Sequence, residues 1–199
     1  MAIHIEERFR VNAPVQAVWD YLVDPRRVVL CLPGAELTEV VDERTFHGNV
    51  KVKVGTVTVS YKGRVRIVDI DVAGHRARME GDGRESTGAG SAKMAMESTV
   101  TPAEGGTEVV VRADVDVVGR IVQLGRGMIE QVSHQLFQQF AACVRSTLEG
   151  EEAARLGATA PAPPPRRPEA VAALPLLMRA LWAWFVGLFR RRPRSARRP

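Results

Sequence analysis

The chain has 199 residues, room for one ordinary domain of about 150 residues and a substantial appendage but not for two full domains. Hydrophobic residues make up 45% and charged ones 26%, which excludes a disordered or collagen-like chain. The net charge of +5 is uneven: residues 1–150 hold 18 Lys/Arg against 20 Asp/Glu and carry −2, whereas residues 151–199 hold 10 Arg against 3 Glu and carry +7. A basic balance that comes entirely from the tail says nothing about the body's partners and a good deal about the tail's. Cys31 and Cys143 make no disulfide framework and stand in no CxxC or CxxH spacing, so both are expected to behave as small buried hydrophobes. The opening residues hold no apolar run suited to a secretory signal, and the expected compartment is the cytoplasm.

Ile3 to Val11 alternates loosely and reads as a strand. A helix is expected from Pro14, whose fixed φ and missing N–H suit a first helical position, with Val15, Val18, Trp19 and Leu22 on its apolar face. Asp24-Pro25 ends it and caps a further helical turn, and Val28 to Gly34 is apolar and closes on a Pro-Gly turn. From Ala35 to Val118 the period becomes two. Phe46, Val50, Val52 and Val54 share one face, as do Val57, Val59, Tyr61, Val65 and Ile67, against a wet, basic face with Lys62, Arg64 and Arg66. Strands follow at Arg76 to Gly83, Ala92 to Val100 and, after the Gly105-Gly106 turn, Glu108 to Val118, and the pattern predicts a consecutive antiparallel meander that curls. Ile121 to Leu148 then places Ile121, Gly125, Met128, Val132, Leu136 and Phe140 at helical spacing, the stripe of one long amphipathic helix.

A curved antiparallel sheet gripping a C-terminal helix is an α+β arrangement with room for an internal apolar cavity. Three features favour one: adaptable Met79, Met94, Met96 and Met128 on the inward face, Gly125 and Gly127 near the helix start, and a core built mainly of Val. The alternative is that the methionines fill gaps and the helix begins later, near Met128. The cavity lining is expected to be Phe46, Val52, Val59, Tyr61, Met79, Met94 and Met96 from the sheet and Leu124, Gly125, Met128, Ile129 and Val132 from the helix. Tyr61 brings a hydroxyl that either donates to a ligand or rests at the sheet edge. Leu30, Leu32 and Pro33 are expected at the entrance.

Residues for catalysis are missing. His4, His47, His75 and His134 are scattered without an HxxxH or HExxH pair, so no metal site is expected. No GxSxG or phosphate-binding loop occurs, Gly81-Asp82-Gly83 and Gly88-Ala89-Gly90 read as turns or bulges, and Asp114 and Asp116 belong to the solvated face.

The body ends near Gly150, a Pro-rich linker covers 151–169, and 170–199 is an apolar, Arg-rich segment. Its length permits a membrane crossing. However, Arg179, Ala183, Gly187 and Arg190 form a small-or-basic stripe opposite Leu177, Leu181, Trp184 and Leu188, and both flanks are basic. That favours a helix lying in the interface on an anionic cytoplasmic leaflet over a span, with Trp182, Phe185 and Phe189 inserted and Arg190, Arg191 and Arg192 on the head groups. Packing on the body is disfavoured by the spacer, and nucleic acid by the run of Leu, Trp and Phe.

Val11-Asn-Ala-Pro-Val-Gln-Ala-Val-Trp19 with Leu22-Val-Asp-Pro25 resembles the opening of START-like, helix-grip ligand-binding domains. Cys31-Leu-Pro-Gly34, Gly48-Asn-Val-Lys-Val-Lys-Val-Gly55, Tyr61-Lys-Gly63 and Gly119-Arg-Ile-Val-Gln-Leu-Gly-Arg-Gly-Met-Ile129 resemble the carbon monoxide dehydrogenase CoxG family over residues 1 to about 150. The resemblance implies a non-catalytic accessory protein of a molybdenum carbon monoxide dehydrogenase or related hydroxylase. It implies an isoprenoid quinone, menaquinone or ubiquinone, held as cargo with no covalently bound cofactor, and association with the cell membrane. A recruitment or assembly factor without cargo is the alternative, with a polyketide cyclase-like enzyme behind it.

Overall fold

Long runs of alternating β-branched and charged residues make the strands, because such residues suit a pleated surface with one buried and one wet face. The computed structural model describes residues 1–54 and 57–157. Among the described residues seven strands are formed: β1 Ala2–Val11, β2 Ala35–Val40, β3 Thr45–Val54, β4 Val57–Asp71, β5 Arg76–Glu85, β6 Ser91–Ala103 and β7 Gly106–Val118. They build one curved antiparallel sheet in the order β1-β7-β6-β5-β4-β3-β2. The expected meander accounts for β2 to β7, but the sheet is not purely consecutive. β1 pairs with β7, Phe9 lying opposite Val109 and Ile3 opposite Val115. Bulges at Leu37/Glu39 and Ile67/Asp69 shift the register, and after the second Asp69 pairs with Arg78 and Ile70 with Ala77.

Helix α1 is Val15–Leu22, with Pro14 as the extended residue just before it rather than its first residue. Helix α2 is Pro25–Cys31, and the Asp24 side chain accepts a hydrogen bond from the Arg26 amide at 2.9 Å, the expected cap. The long helix is interrupted where the apolar spacing runs straight through. Arg120–Leu124 is a 3-10 segment, and α3 is Arg126–Arg155. Gly125 between them has φ +78°, which breaks the helical path at little cost to glycine. At its other end α3 continues past Leu148, and Met1–Ala158 forms one compact unit.

The cysteines also depart from expectation: Cys31 and Cys143 form a disulfide with a Cα–Cα distance of 5.4 Å, joining α2 to α3. They lie 112 residues apart in sequence, and only the packing of α2 on α3 brings them together. The outer face is also less basic than expected. Arg64 pairs with Asp82 at 2.9 Å and Arg66 with Glu80 at 3.3 Å, because antiparallel register sets β4 arginines opposite β5 carboxylates.

Two apolar clusters hold the unit together. One gathers Phe9, Val11, Val18, Trp19, Tyr21, Val109, Phe140, Val144 and Leu148 where α1, α2 and the later turns of α3 meet the sheet. Phe9 lies edge-on to Phe137 and Phe140 at 5.7 and 6.1 Å. Each fully buried Val or Leu contributes about 1.5–3 kcal/mol. The other gathers Ile3, Val59, Tyr61, Val117, Ile121 and Ile129 at the opposite end of the strands.

Candidate ligand-binding face

The inner face of the sheet follows from strand alternation and register. One cross-strand row runs Gly48, Gly63, Gly83, Ala92 and Val117; the next runs Phe46, Val65, Gly81, Met94 and Val115; a third carries Ile67, Met79, Met96 and Ala113. Val65, Met79, Met94 and Met96 are half-buried and belong to neither apolar cluster. They form an apolar floor between two separately packed ends.

Glycines shape this floor. A Cβ on Gly63 would fall 2.6 Å from the Asp82 carbonyl oxygen, so backbone approach requires glycine there. A Cβ on Gly83 would meet only ordinary contacts at 3.6 Å or more, one of them Tyr61 Cβ. Gly83 therefore leaves the surface beside Tyr61 lower than any other residue would. The expectation that Gly81-Asp82-Gly83 forms a turn or bulge is corrected, since all three pair regularly within β5. Glycines at alternate positions of a strand were the signal for a bare patch on one face.

Tyr61 stands at the edge of that patch. It is 7% exposed, and its hydroxyl is buried with no hydrogen-bond partner among the described residues. Burial raises its pKa, and the nearby Glu85 carboxylate pushes it further. Glu85 lies directly opposite Tyr61 in the β4–β5 register. Its side chain is 1% exposed and accepts from the Arg120 guanidinium, with Nε at 3.2 Å. Arg120 also donates to Thr87 Oγ1 at 3.2 Å. Neither Glu85 nor Arg120 is picked out by sequence pattern, because a carboxylate at a strand end next to a Ser-Thr-Gly turn reads as solvated.

Of the residues expected to line a cavity, Val52, Val59, Tyr61, Leu124 and Ile129 come together in the second cluster. Met79, Met94 and Met96 form the central floor, Phe46 is buried outside both clusters, and Val132 is half-buried on α3. Gly125 is exposed at the helix break, and Met128 is 47% exposed on the first turn of α3. Of the expected entrance, Leu30 and Leu32 are exposed and Pro33 is half-buried where α2 ends. The expected anchoring residues Leu177, Leu181, Trp182, Trp184, Phe185, Leu188, Phe189, Arg190, Arg191 and Arg192 lie outside the described residues.

A depression of about 430 Å³ on the outer face is lined by Glu80, Asp82, Lys93, Asp114 and Asp116 among others. Among the described residues no group of three or more His, Cys, Asp or Glu is placed to hold a metal ion, and no helix is long and apolar enough to cross a membrane.

The architecture is a helix-grip fold, shared with START-like and polyketide cyclase-type proteins. A conserved protein from Geobacillus kaustophilus superimposes with a TM-score of 0.67 at 19% identity, over 74% of this chain and 95% of that one. The Zhui aromatase/cyclase from Streptomyces sp. R1128 gives 0.59 at 17% identity, over 78% and 98%. TTHA0849 from Thermus thermophilus gives 0.52 at 15% identity, over 73% and 99%. No curated protein matches the chain in sequence. The chain belongs to the carbon monoxide dehydrogenase CoxG family, whose model matches residues 8–149.

Proposed function

We propose that the protein is a non-catalytic accessory subunit that holds an apolar ligand with a polar end between its sheet and α3. The observation that carries this reading is the buried, unpartnered Tyr61 hydroxyl at the edge of an apolar floor. Leaving such a group unsatisfied costs about 1–3 kcal/mol, which a hydrogen-bond acceptor on a ligand offsets. The Val, Met and Gly surface of β3 to β6 suits a flat or isoprenoid body. An isoprenoid quinone, menaquinone or ubiquinone, has both parts, and its carbonyl oxygen is the acceptor that Tyr61 needs. Family membership supports a partner of the carbon monoxide dehydrogenase type. The protein then carries quinone between the cytoplasmic face of the membrane and that enzyme, with the tail as a tether that raises its effective concentration at the bilayer.

A cyclase-like enzyme has less support. The polar side chains on the described inner face include Tyr61, Ser98 and Glu85, and the Glu85 carboxylate is already engaged by Arg120.

The test is mass spectrometry of an organic extract of the full chain purified from its native cells without detergent. Near-stoichiometric quinone is expected. An extract that stays empty after incubation with quinone-loaded liposomes overturns the cargo reading and leaves recruitment or assembly of the enzyme.

A further inference from the structure

We propose that the end of the body where β3 runs into β4 is itself a docking surface for an anionic lipid bilayer. Lys51 and Lys53 on β3, Lys62 on β4 and Arg84 on β5 are exposed on the outer face toward this end of their strands. Among the described residues none of the four has a carboxylate partner. Farther along the same face most cations are matched, Arg64 to Asp82, Arg66 to Glu80, Arg78 to Glu97 and Arg112 to Glu6, whereas Arg76 and Lys93 stand without an ion pair among the described residues. Charge is thus compensated along most of the sheet, and the open cations gather at one end. The inner layer adds Arg120 and Arg126 at that end. Arg120 takes up the buried Glu85, and Arg126 donates to the Ala2 carbonyl at 2.9 Å.

Two exposed apolar side chains lie toward the same end: Val118, 53% exposed at the end of β7, and Met128, 47% exposed on the first turn of α3. Three of the four open charges are lysines, which protein interfaces avoid and a head-group layer accepts without demanding fixed geometry. Basic charge around apolar side chains that can enter the acyl boundary is the pattern of an interfacial surface. The second apolar cluster, with Tyr61, lies at this same end. Docking sets that part of the inner face against the bilayer, whatever ligand it holds.

The experiment is backbone hydrogen exchange of the full chain on vesicles of phosphatidylglycerol and phosphatidylcholine, compared with phosphatidylcholine alone. Near an anionic surface each basic residue is worth roughly a fivefold gain in partition. Exchange at 49–54, 57–62 and 119–128 is expected to slow roughly tenfold on the anionic vesicles and to recover as salt screens the charges. The variant K51E/K53E/K62E/R84E, all at exposed positions, loses this protection while the tail is unchanged, and the milder K51Q/K53Q/K62Q/R84Q loses part of it. Equal protection on neutral vesicles, or protection that survives the charge reversal, overturns the proposal. Quinone content of the same samples reports separately on the cargo.

Discussion

Tyr61 separates a structural hydroxyl from a ligand-seeking one. Tyr61→Phe removes a buried group that has no partner, so the variant without ligand should be at least as stable as the parent in urea unfolding. The same variant should retain several-fold less quinone. A clear loss of stability would mean that the hydroxyl serves the fold. Tyr21 is the internal contrast, since its hydroxyl donates to the Arg27 carbonyl at 3.2 Å. Burial raises the pKa of both tyrosines, so their folded forms keep the proton to higher pH than the unfolded chain. Above the ordinary tyrosine pKa of about 10 the folded state binds more protons, and stability should fall as pH rises through that region, with no loss below it. Phenolate absorbance tracked against unfolding checks this, and Tyr61→Phe should remove part of the slope. On the acid side, the hydrogen bonds from Arg112 and Arg78 hold Glu6 and Glu97 below the usual carboxylate range. Their contribution is present above that range and is lost as pH falls through their folded values. Period-two alternation was enough to place Tyr61 on the inner face, but it did not show that Glu85 would be buried beside it. Its partner Arg120 is 35 residues away and reaches it only through the turn after β7.

Helix α2 is held to its neighbours by side-chain contacts from several directions, besides the Tyr21–Arg27 hydrogen bond. The Cys31–Cys143 disulfide joins it to α3, Arg27 meets Glu151 of α3 at 2.7 and 2.8 Å, and the Tyr21 hydroxyl of α1 lies 3.1 Å from Cys31 Sγ. Reduction should lower unfolding stability by about 2–4 kcal/mol, and Cys31→Ser with Cys143→Ser should reproduce the reduced value. Disulfides persist mainly in oxidising compartments, so alkylation trapping in intact cells tests the proposed cytoplasmic location: two reduced thiols fit it, and an oxidised pair argues against it. Within β4 and β5 two glycines make a paired test. Gly63→Ala should destabilise, because its Cβ meets the Asp82 backbone, while Gly83→Ala should be neutral or stabilising by up to about 1 kcal/mol. If Gly83→Ala fails to fold, the low patch beside Tyr61 is not open. The alternating strands and the Asp24 cap were legible because each rests on neighbouring residues. The break at Gly125 was not, since the apolar spacing continues through it.

Across the whole molecule, the asymmetry of charge is what composition concealed. The body's balance of 18 basic and 20 acidic residues looks featureless as a sum. Only the sheet register sorts it into matched pairs along the strands and a cluster of open cations where β3 runs into β4. The α+β class, the one-sided sheet and its long helical cover were determined by the sequence itself, through periods of two and 3.6 that act over a few residues. The family blocks from Val11 to Ile129 were equally local and equally legible. The tertiary structure decided what depends on residues far apart in the chain: the pairing of β1 with β7, the disulfide, the buried Glu85–Arg120 pair and the row of glycines beside Tyr61. Those contacts form when separate elements close on one another, and no local period records which elements will meet.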